Sequence, residues 1–279
     1  KNRFNHYEIF EIMDLCLSCK ACKTECPSGV DVAKLKTEFL QHYYDANGVP
    51  FRTKMVARFT ELNRFASLVP AVYTFMATNQ LAAPVLKKIL GFSPRRSLPL
   101  LGKTTFNRWF QRHKRNRAGK ESTHPPVYLF VDEFTNYNDV SVGQKTVNLL
   151  EALGYNVKII SGMESGRTWL SKGLIRKAAR IATQNVERLK DVVKEESPLL
   201  GIEPSALLTF RDETIDLVPS HLKDAARNIS SRALLLDEFL VEEAEKGRID
   251  SSQFVAARQK IKLHGHCHQK AMASLTPTI

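Results

Sequence analysis

Four of the five cysteines lie close together near the start of the chain. These four residues, which we call the loop cysteines, are Cys16, Cys19, Cys22 and Cys26. Three thiolates spaced two residues apart can curl around one face of a cube, and the fourth, which precedes Pro27, leaves the turn in another direction. This is the spacing of bacterial ferredoxins. It predicts that the loop cysteines bind a 4Fe–4S cluster.

Zinc and a redox dithiol are the alternatives for the same cysteines. A structural zinc site usually combines two separated Cys-x-x-Cys knuckles, and the sequence has no second knuckle. A redox dithiol needs only one pair of cysteines. In two-cluster ferredoxins the cysteine before the proline binds the other cluster. The spacing therefore leaves open whether Cys26 serves the same cluster as the other three cysteines.

A second group of metal-binding residue types stands at positions 264–268. Its members are His264, His266, Cys267 and His268. On a turn from a strand into a helix, His266 and His268 can face one side. We take His266, Cys267 and His268 as weaker metal-ligand candidates in part of a redox site. The alternative is a structural or substrate-contacting role, because the sequence contains no second group of ligands for them.

The residues around the loop cysteines predict two helices. Apolar residues recur at helical intervals over 5–15, before the cysteines. After them, Asp31 is a candidate N-cap, and an apolar stripe continues until Asn47-Gly48. The cysteines are therefore predicted to lie on a loop between two helices.

Positive charge is concentrated in the middle of the chain. The net charge is +12, and residues 52–120 hold fifteen Lys and Arg against the single acid Glu61. Such a surface attracts anions of any kind. The interpretations left open are a solvated face, a surface that docks a partner, and a membrane surface. We expect no nucleic-acid partner, because no nucleic-acid-binding motif is present.

The same middle region is predicted to be helical but broken by prolines. Residues 65–86 carry no charge. Pro70, Pro84 and the pair Asn79-Gln80 would be costly in a lipid-exposed span, so buried or interfacial helices are expected. No secretory signal pattern follows Lys1, which we interpret as a processing boundary. The few, crowded cysteines favour a reducing, cytoplasmic location.

After a polar stretch at 112–126, predicted strands alternate with predicted helices. Strands are expected at 127–134, 156–161 and 260–265, and helices at 142–155, 171–195 and 230–247, with a short apolar run at 199–203. This alternation indicates a parallel α/β sheet. The predicted fold class is mixed. It comprises an α-helical ferredoxin-like segment (1–50), a basic helical linker (51–125) and a Rossmann-like α/β domain (126–279) that is truncated in its second half.

The cysteine segment 14–40 resembles bacterial proteins that fuse an FAD-linked oxidase to an iron–sulfur and cysteine-rich, heterodisulfide-reductase-like domain. These proteins are related to D-2-hydroxyglutarate, D-lactate and glycolate dehydrogenases. Further similar blocks lie at 129–157, 165–178, 201–213 and 264–272. The resemblance implies an upstream FAD domain and a second, upstream cysteine segment. It also implies that Cys16, Cys19 and Cys22 share a cluster with an upstream cysteine, while Cys26 serves the neighbouring cluster.

The chain departs from this family in its α/β domain. Relatives carry a Cys-Cys-Gly signature where this sequence has Glu164-Ser165-Gly166. Ala206 replaces a cysteine found after Pro-Ser, and Glu133 stands where some relatives have a cysteine. The first half of the domain is therefore expected to be metal-free. Cys267 would belong to the second half.

The predicted function is electron transfer. The chain would be the iron–sulfur part of a flavin-dependent 2-hydroxyacid dehydrogenase, which passes electrons from FAD to an acceptor such as a quinone or another redox protein. The fragment itself is expected not to be catalytic, and its basic linker to dock the flavin domain or the inner membrane face. Lys20 and Lys23 would raise the cluster potential if they lie close to it, and otherwise are solvated.

Two further functions remain as alternatives. The first is a stand-alone iron–sulfur subunit of the lactate-utilisation or heterodisulfide-reductase type, with no flavin in the same polypeptide. The second is a zinc-stabilised interaction module with no redox role.

Overall fold

Helices fill the N-terminal part of the chain. The computed structural model describes residues 3–116, 122, 124–255 and 260–279. Residues 3–116 form helices α1 (Tyr7–Leu15), α2 (Ala21–Glu25), α3 (Val32–Asn47), α4 (Phe51–Ala57), α5 (Phe59–Ala66), α6 (Pro70–Thr78), α7 (Ala82–Leu90) and α8 (Phe106–Asn116). Helices α1 and α3 confirm the two helices predicted on either side of the loop cysteines, but the segment between them is not wholly a loop, because Cys22 lies in α2. Nowhere in the described ranges is a helix both long and apolar enough to cross a bilayer.

Helix α3 has the ends that its sequence predicts. The carboxylate of Asp31 accepts a hydrogen bond from the backbone N–H of Lys34 at 3.1 Å, which satisfies a free amide of the first turn. The helix ends at Gly48, whose φ of 77° lies in the region that favours glycine. An apolar cluster joins α3 to α1; its members are Phe10, Met13, Phe39, Leu40, Tyr43 and Tyr44.

A parallel sheet organises residues 126–255, which we call the α/β unit. Its strands are β1 (Pro126–Leu129), β2 (Asn156–Ile159), β3 (Leu199–Gly201) and β4 (Ala233–Leu235), in the order β2-β1-β3-β4. All neighbouring strands are parallel, and the register places Leu129 between Ile159 and Leu200. The strands that flank β1 lie on opposite sides of it. Its carboxyl end is therefore at a switch point of the sheet, where ligand sites of open α/β folds lie.

Nine helices follow or connect these strands within the described residues. They are α9 (Glu133–Tyr137), α10 (Val140–Ala152), α11 (Arg167–Ser171), α12 (Ile175–Leu189), α13 (Pro204–Leu207), α14 (Glu213–Leu217), α15 (Lys223–Ser231), α16 (Leu236–Glu245) and α17 (Cys267–Met272). Short 3-10 helices lie at Leu208–Phe210, Ser220–Leu222, Ser251–Gln253 and Thr276–Thr278. Helix α17 follows the α/β unit in sequence.

Apolar side chains cover both faces of the sheet. Successive residues of β1 point to opposite faces: Val127 and Leu129 pack in one cluster, and Tyr128 in the other. The first cluster also contains Phe106 and Phe110 of α8. The last helix of the predicted linker therefore contributes to the core of the α/β unit.

The structure confirms a mixed helical and parallel α/β protein and corrects three predicted elements. The strand predicted over 127–134 ends at Leu129. Residues 233–235 form strand β4 inside a segment predicted to be helical, because a short run buried on both faces has no strand periodicity. No strand forms over 260–265, where Ile261 and Leu263 are exposed and have no neighbouring strand among the described residues.

The domain division and the finer fold assignments stay predictions. The proposed boundary at 112–126 includes residues 117–121 and 123, which lie outside the described residues. The limits at 50 and 125 are likewise untested. The ferredoxin-like and Rossmann-like assignments also remain predictions.

Helix α3 packs directly on the α/β unit. The Thr37 hydroxyl donates a hydrogen bond to the carbonyl of Leu170 at 3.1 Å. Gly173, at the turn between α11 and α12, has a φ of 72°, and a Cβ at this position would meet the side chain of Leu40. A glycine is therefore required here both by the backbone conformation and by the close approach of α3.

We expect Gly173→Ala to lower the free energy of unfolding by about 3 kcal/mol. A left-handed backbone costs a non-glycine residue about 1 to 2 kcal/mol, and overpacking against Leu40 adds about 1 to 3 kcal/mol. The matched control is Gly247→Ala, because Gly247 has a similar φ of 69° but no atom within 4 Å of a Cβ. Urea denaturation measures both changes. Equal losses in the two variants would show that α3 does not approach this turn closely.

Candidate metal centre

The loop cysteines lie on a tightly turned segment, residues 16–26, which we call the cysteine loop. Ser18 and Lys20 have φ values of 54° and 64°, and they are the non-glycine residues with positive φ in the described part of the chain. Such backbones persist where the surroundings over-determine them, often at functional sites. All four loop cysteines are free thiols and half-buried. The positive-φ residues separate consecutive cysteines, so the chain changes direction twice between Cys16 and Cys22.

Backbone amides face three of the four sulfurs. The N–H of Ser18 donates to Cys16 Sγ at 3.4 Å, and the N–H of Val32 donates to Cys22 Sγ at 3.3 Å. Hydrogen bonds from the backbone of Val30, Ser28 and Gly29 lower the pKa of the Cys26 thiol. Hydrogen bonds to sulfur favour the thiolate, which is the form that binds metal.

The loop cysteines supply thiol donors, which are ligands of both zinc and iron–sulfur clusters. No group of three or more His, Cys, Asp or Glu side chains in the described residues is arranged to hold one metal ion. The loop cysteines therefore do not converge on one point, as a tetrahedral zinc site requires. In a 4Fe–4S cluster each thiolate binds a different iron. Four half-buried thiols and their N–H donors suit that chemistry.

The side chain of Lys20, a residue of the cysteine loop, is buried. It is 1% exposed, and its ammonium lies 3.0 Å from Asp31, 2.8 Å from Glu213 and in direct contact with Asp212. Burial alone would lower the pKa of Lys20, but Glu213 and Asp212 outweigh it and hold the pKa above its ordinary value. Lys20 is thus a buried, paired cation, and the solvated alternative is wrong for this residue.

Asp212 is the centre of this ion-pair network. Besides Lys20, its carboxylate contacts Lys34 at 2.7 Å and Lys23 at 3.2 Å. Burial would raise the pKa of Asp212, but hydrogen bonds from Lys20 and Lys34 lower it well below its usual range. Lys23 is one-third exposed, so it is partly solvated and partly paired.

Two further contacts extend the network. Arg167 lies 2.6 Å from Glu213, and Lys34 lies 2.7 Å from Asp216. The carboxylates of Asp212, Glu213 and Asp216 belong to the start of α14. The network therefore joins the cysteine loop to the α/β unit.

The turn at 264–268 lies against the cysteine loop, because α17 packs on α2. His268 is 8% exposed, and neither ring nitrogen has a hydrogen-bond partner among the described residues. Burial and the nearby Arg167 lower the pKa of His268 to about 4. His266 Nδ1 accepts a hydrogen bond from the His268 backbone, and its Nε2 lies 3.5 Å from Glu203.

Cys267 and His264 do not join the buried His268. Both are exposed, and the predicted strand before this turn is absent. A metal-binding role for His266, Cys267 and His268 stays a prediction.

Two positions at which cysteines occur in the resembled family lie in contact with each other. The N–H and hydroxyl of Ser165 donate to the carboxyl group of Glu133 at 3.0 and 2.7 Å. Both residues are almost completely buried, at 4% and 2% exposure. Burial and the neighbouring Asp132 raise the pKa of Glu133 to about 7, and burial raises that of Asp132 to about 6. The sequence placed Glu133 and Ser165 separately, and only the fold brings them together.

We expect Glu133→Gln to remove a pH dependence of stability. The folded pKa of Glu133 lies above its ordinary value of 4.5, so its stabilising contribution is full below pH 4.5 and is lost as the pH rises through 7. Relative to the variant, the wild-type free energy of unfolding should fall by about 3 kcal/mol between pH 4.5 and about pH 8. Glutamine keeps an acceptor for the N–H of Ser165.

Denaturant titrations at several pH values measure this difference. Glu187→Gln, on the exposed face of α12, serves as the control for removal of a carboxylate. A constant difference between wild type and Glu133→Gln across this range would contradict the raised pKa.

The chain is similar to curated D-2-hydroxyglutarate dehydrogenases. It is 27% identical to that of Pantoea ananatis over 98% of this chain, and 28% identical to that of Escherichia coli over 75% of it. These alignments cover only 26% and 21% of the relatives. The chain is related to these oxidoreductases. It is also 25% identical to one of the subunits of the anaerobic glycerol-3-phosphate dehydrogenase of Escherichia coli, over 75% of this chain and 50% of that relative.

The other comparisons add no relative. No protein-family model and no solved structure matches the chain. The chain spans about a quarter of the length of the D-2-hydroxyglutarate dehydrogenases that it matches. The whole activity of such a protein is therefore not carried over to this chain.

Proposed function

We propose that the chain is the electron-transfer part of a flavin-dependent 2-hydroxyacid dehydrogenase. The observation that carries the proposal is the cysteine loop, in which four half-buried thiols follow ferredoxin spacing and three receive backbone N–H bonds. Similarity to named dehydrogenases supports the same reaction class. A bound 4Fe–4S cluster would supply one-electron transfer between FAD and an acceptor such as a quinone or another redox protein.

The loop residues have separate roles in this proposal. Cys16, Cys19 and Cys22 bind one cluster together with a cysteine from an upstream segment, and Cys26 binds the neighbouring cluster. The amides of Ser18 and Val32 donate hydrogen bonds to the sulfurs of Cys16 and Cys22. The FAD and the 2-hydroxy acid bind to another part of the polypeptide, so this chain is not itself catalytic.

A stand-alone electron-transfer subunit is the second candidate. Half of the glycerol-3-phosphate dehydrogenase relative aligns with this chain, and that relative is named as one subunit of its enzyme. The two candidates share the cysteine loop and differ in what precedes it. Several hundred codons for a flavin-binding domain upstream of Lys1 would favour the fused enzyme, and a start codon there would favour the separate subunit.

We expect anaerobic reconstitution to load iron and sulfide only when an upstream cysteine segment is present. The experiment compares this chain with a version extended upstream, and counts iron and sulfide in each. In the extended version, Cys19→Ala should lose about four iron atoms, and Cys26→Ala should lose the other cluster. Electron paramagnetic resonance of the reduced protein distinguishes the two losses.

The matched control is Thr24→Ala, an exposed residue of the same loop. This variant should keep the full iron content. A colourless protein that contains zinc and no iron would contradict the proposal and favour the interaction module. Loss of iron in Cys267→Ala would assign α17 to the metal site.

We also propose that the basic linker contacts the inner face of the membrane, so that the protein is cytoplasmic but peripheral. Helices α5 to α7 expose many apolar side chains: Phe65, Leu68, Val69, Val72, Phe75, Leu81, Val85 and Ile89. Lys87 and Lys88 lie in the last turn of α7, and Arg95 and Arg96 follow the helix. An apolar face with basic neighbours is the arrangement of interfacial helices. The alternative partner for this surface is the flavin domain.

We expect the protein to co-sediment with vesicles that contain anionic lipid at low salt, and to be released at high salt. Each Lys or Arg near the surface contributes about 1 kcal/mol, which salt screens. Phe75→Ser and Leu81→Ser should weaken binding several-fold. Phe254→Ser, which changes an exposed aromatic residue of the α/β unit, is the control. No binding at low salt would remove the membrane contact and leave the flavin domain as the partner of this surface.

A further inference from the structure

The side chain of Lys20 connects the cysteine loop to the α/β unit. An ammonium group has three donors, and three carboxylates lie within ion-pair distance of it. Asp31 is close in sequence, whereas Asp212 is 192 residues away. Because each donor has a carboxylate, the position of the ammonium is fixed jointly by the loop and by α14.

This anchor acts on the backbone that carries the cysteines. Lys20 lies between Cys19 and Cys22, and it is the N-cap of α2 with a φ of 64°. A lysine adopts this conformation only where its surroundings enforce it. The side-chain contacts of Lys20 supply that enforcement. The direction of α2, and with it the position of Cys22, therefore depends on carboxylates of the α/β unit.

The charges of the network are balanced. Its cations are Lys20, Lys23, Lys34 and Arg167, and its anions are Asp31, Asp212, Glu213 and Asp216. Lys20 and its three partners are largely excluded from water. An unbalanced charge there would be weakly screened and would act on the adjacent sulfurs.

We propose that Asp212 and Glu213 are positioning residues for the cysteine loop and that they act through Lys20. The balance of positive and negative charge in the same network sets the reduction potential of a cluster bound to the loop. The part that concerns the potential rests on the proposed electron-transfer function. The part that concerns the loop does not, because the contacts belong to the protein alone.

Hydrogen exchange of the metal-free protein tests the positioning. Peptides that cover residues 16–26 should exchange at least several-fold faster in Lys20→Met, Asp212→Asn and Glu213→Gln than in the wild type. Lys20→Arg, which keeps the charge, should be intermediate. The control is Arg227→Met, which removes an exposed ion pair with Asp224 on α15. Far-ultraviolet circular dichroism confirms that each variant is folded.

If Asp212→Asn does not fold, Lys34→Met disturbs the same network at a residue whose side chain is about one-third exposed. It removes one partner of Asp212 and leaves Lys20 in place, so a smaller acceleration is expected. Wild-type exchange rates in folded Lys20→Met would overturn the positioning role.

Redox titration of the reconstituted protein, in the version extended upstream, tests the electrostatic part. Reduction adds negative charge, so a local excess of positive charge raises the potential. Asp212→Asn should therefore raise the midpoint potential, Lys20→Met should lower it, and the double variant should return towards the wild type. Shifts of both single variants in the same direction, or no shift, would overturn this role.

The two measurements separate the two claims. If the version extended upstream binds no cluster, the proposed function fails, while the exchange rates of the metal-free protein still decide whether Asp212 and Glu213 position the loop.

Discussion

The site depends on a buried ammonium group. Lys20 lies inside the cysteine loop with 1% of its side chain exposed, and a charge so placed is tolerated only when it is paired and hydrogen-bonded. Two of its three partners, Asp212 and Glu213, come from the start of α14. The buried ammonium of Lys20 is therefore paired mainly with residues of the α/β unit. The cysteine loop thus has contacts with a distant part of the chain.

A second buried polar contact marks the carboxyl end of β1. Glu133 and Ser165 occupy positions at which cysteines occur in the resembled family, and here a carboxyl group and a hydroxyl are hydrogen-bonded to each other. Ser165 Oγ also accepts from the N–H of Arg167, whose guanidinium pairs with Glu213. The polar contacts thus continue from Ser165 through Arg167 to the ion-pair network. The α/β unit uses that position for packing and hydrogen bonding, while the thiol chemistry is concentrated in the cysteine loop.

Local signals predicted the parts of the fold that local interactions decide. The cap at Asp31 and the glycine at 48 delimit α3 in the sequence as they do in the structure. Strand β4 was missed because Ala233 to Leu235 are buried on both faces and lack alternation. The burial of Lys20 could not be predicted, since two of its three partners are distant in sequence and Asp212 lies 192 residues away. The only hint was an acidic pair, Asp212-Glu213, soon after an apolar segment.

The cysteine loop has two chemically different sides. Its contacts with the α/β unit are ionic, and both Lys20 and Lys23 pair with Asp212. By contrast, α1 and the first residues of the loop expose Ile12, Leu15 and Leu17, the last at 89%. Apolar exposure beside half-buried thiols suits a surface that receives another segment. The proposal that upstream cysteines complete the clusters accounts for this asymmetry: the ionic side fixes the loop, and the apolar side accepts the remaining ligands.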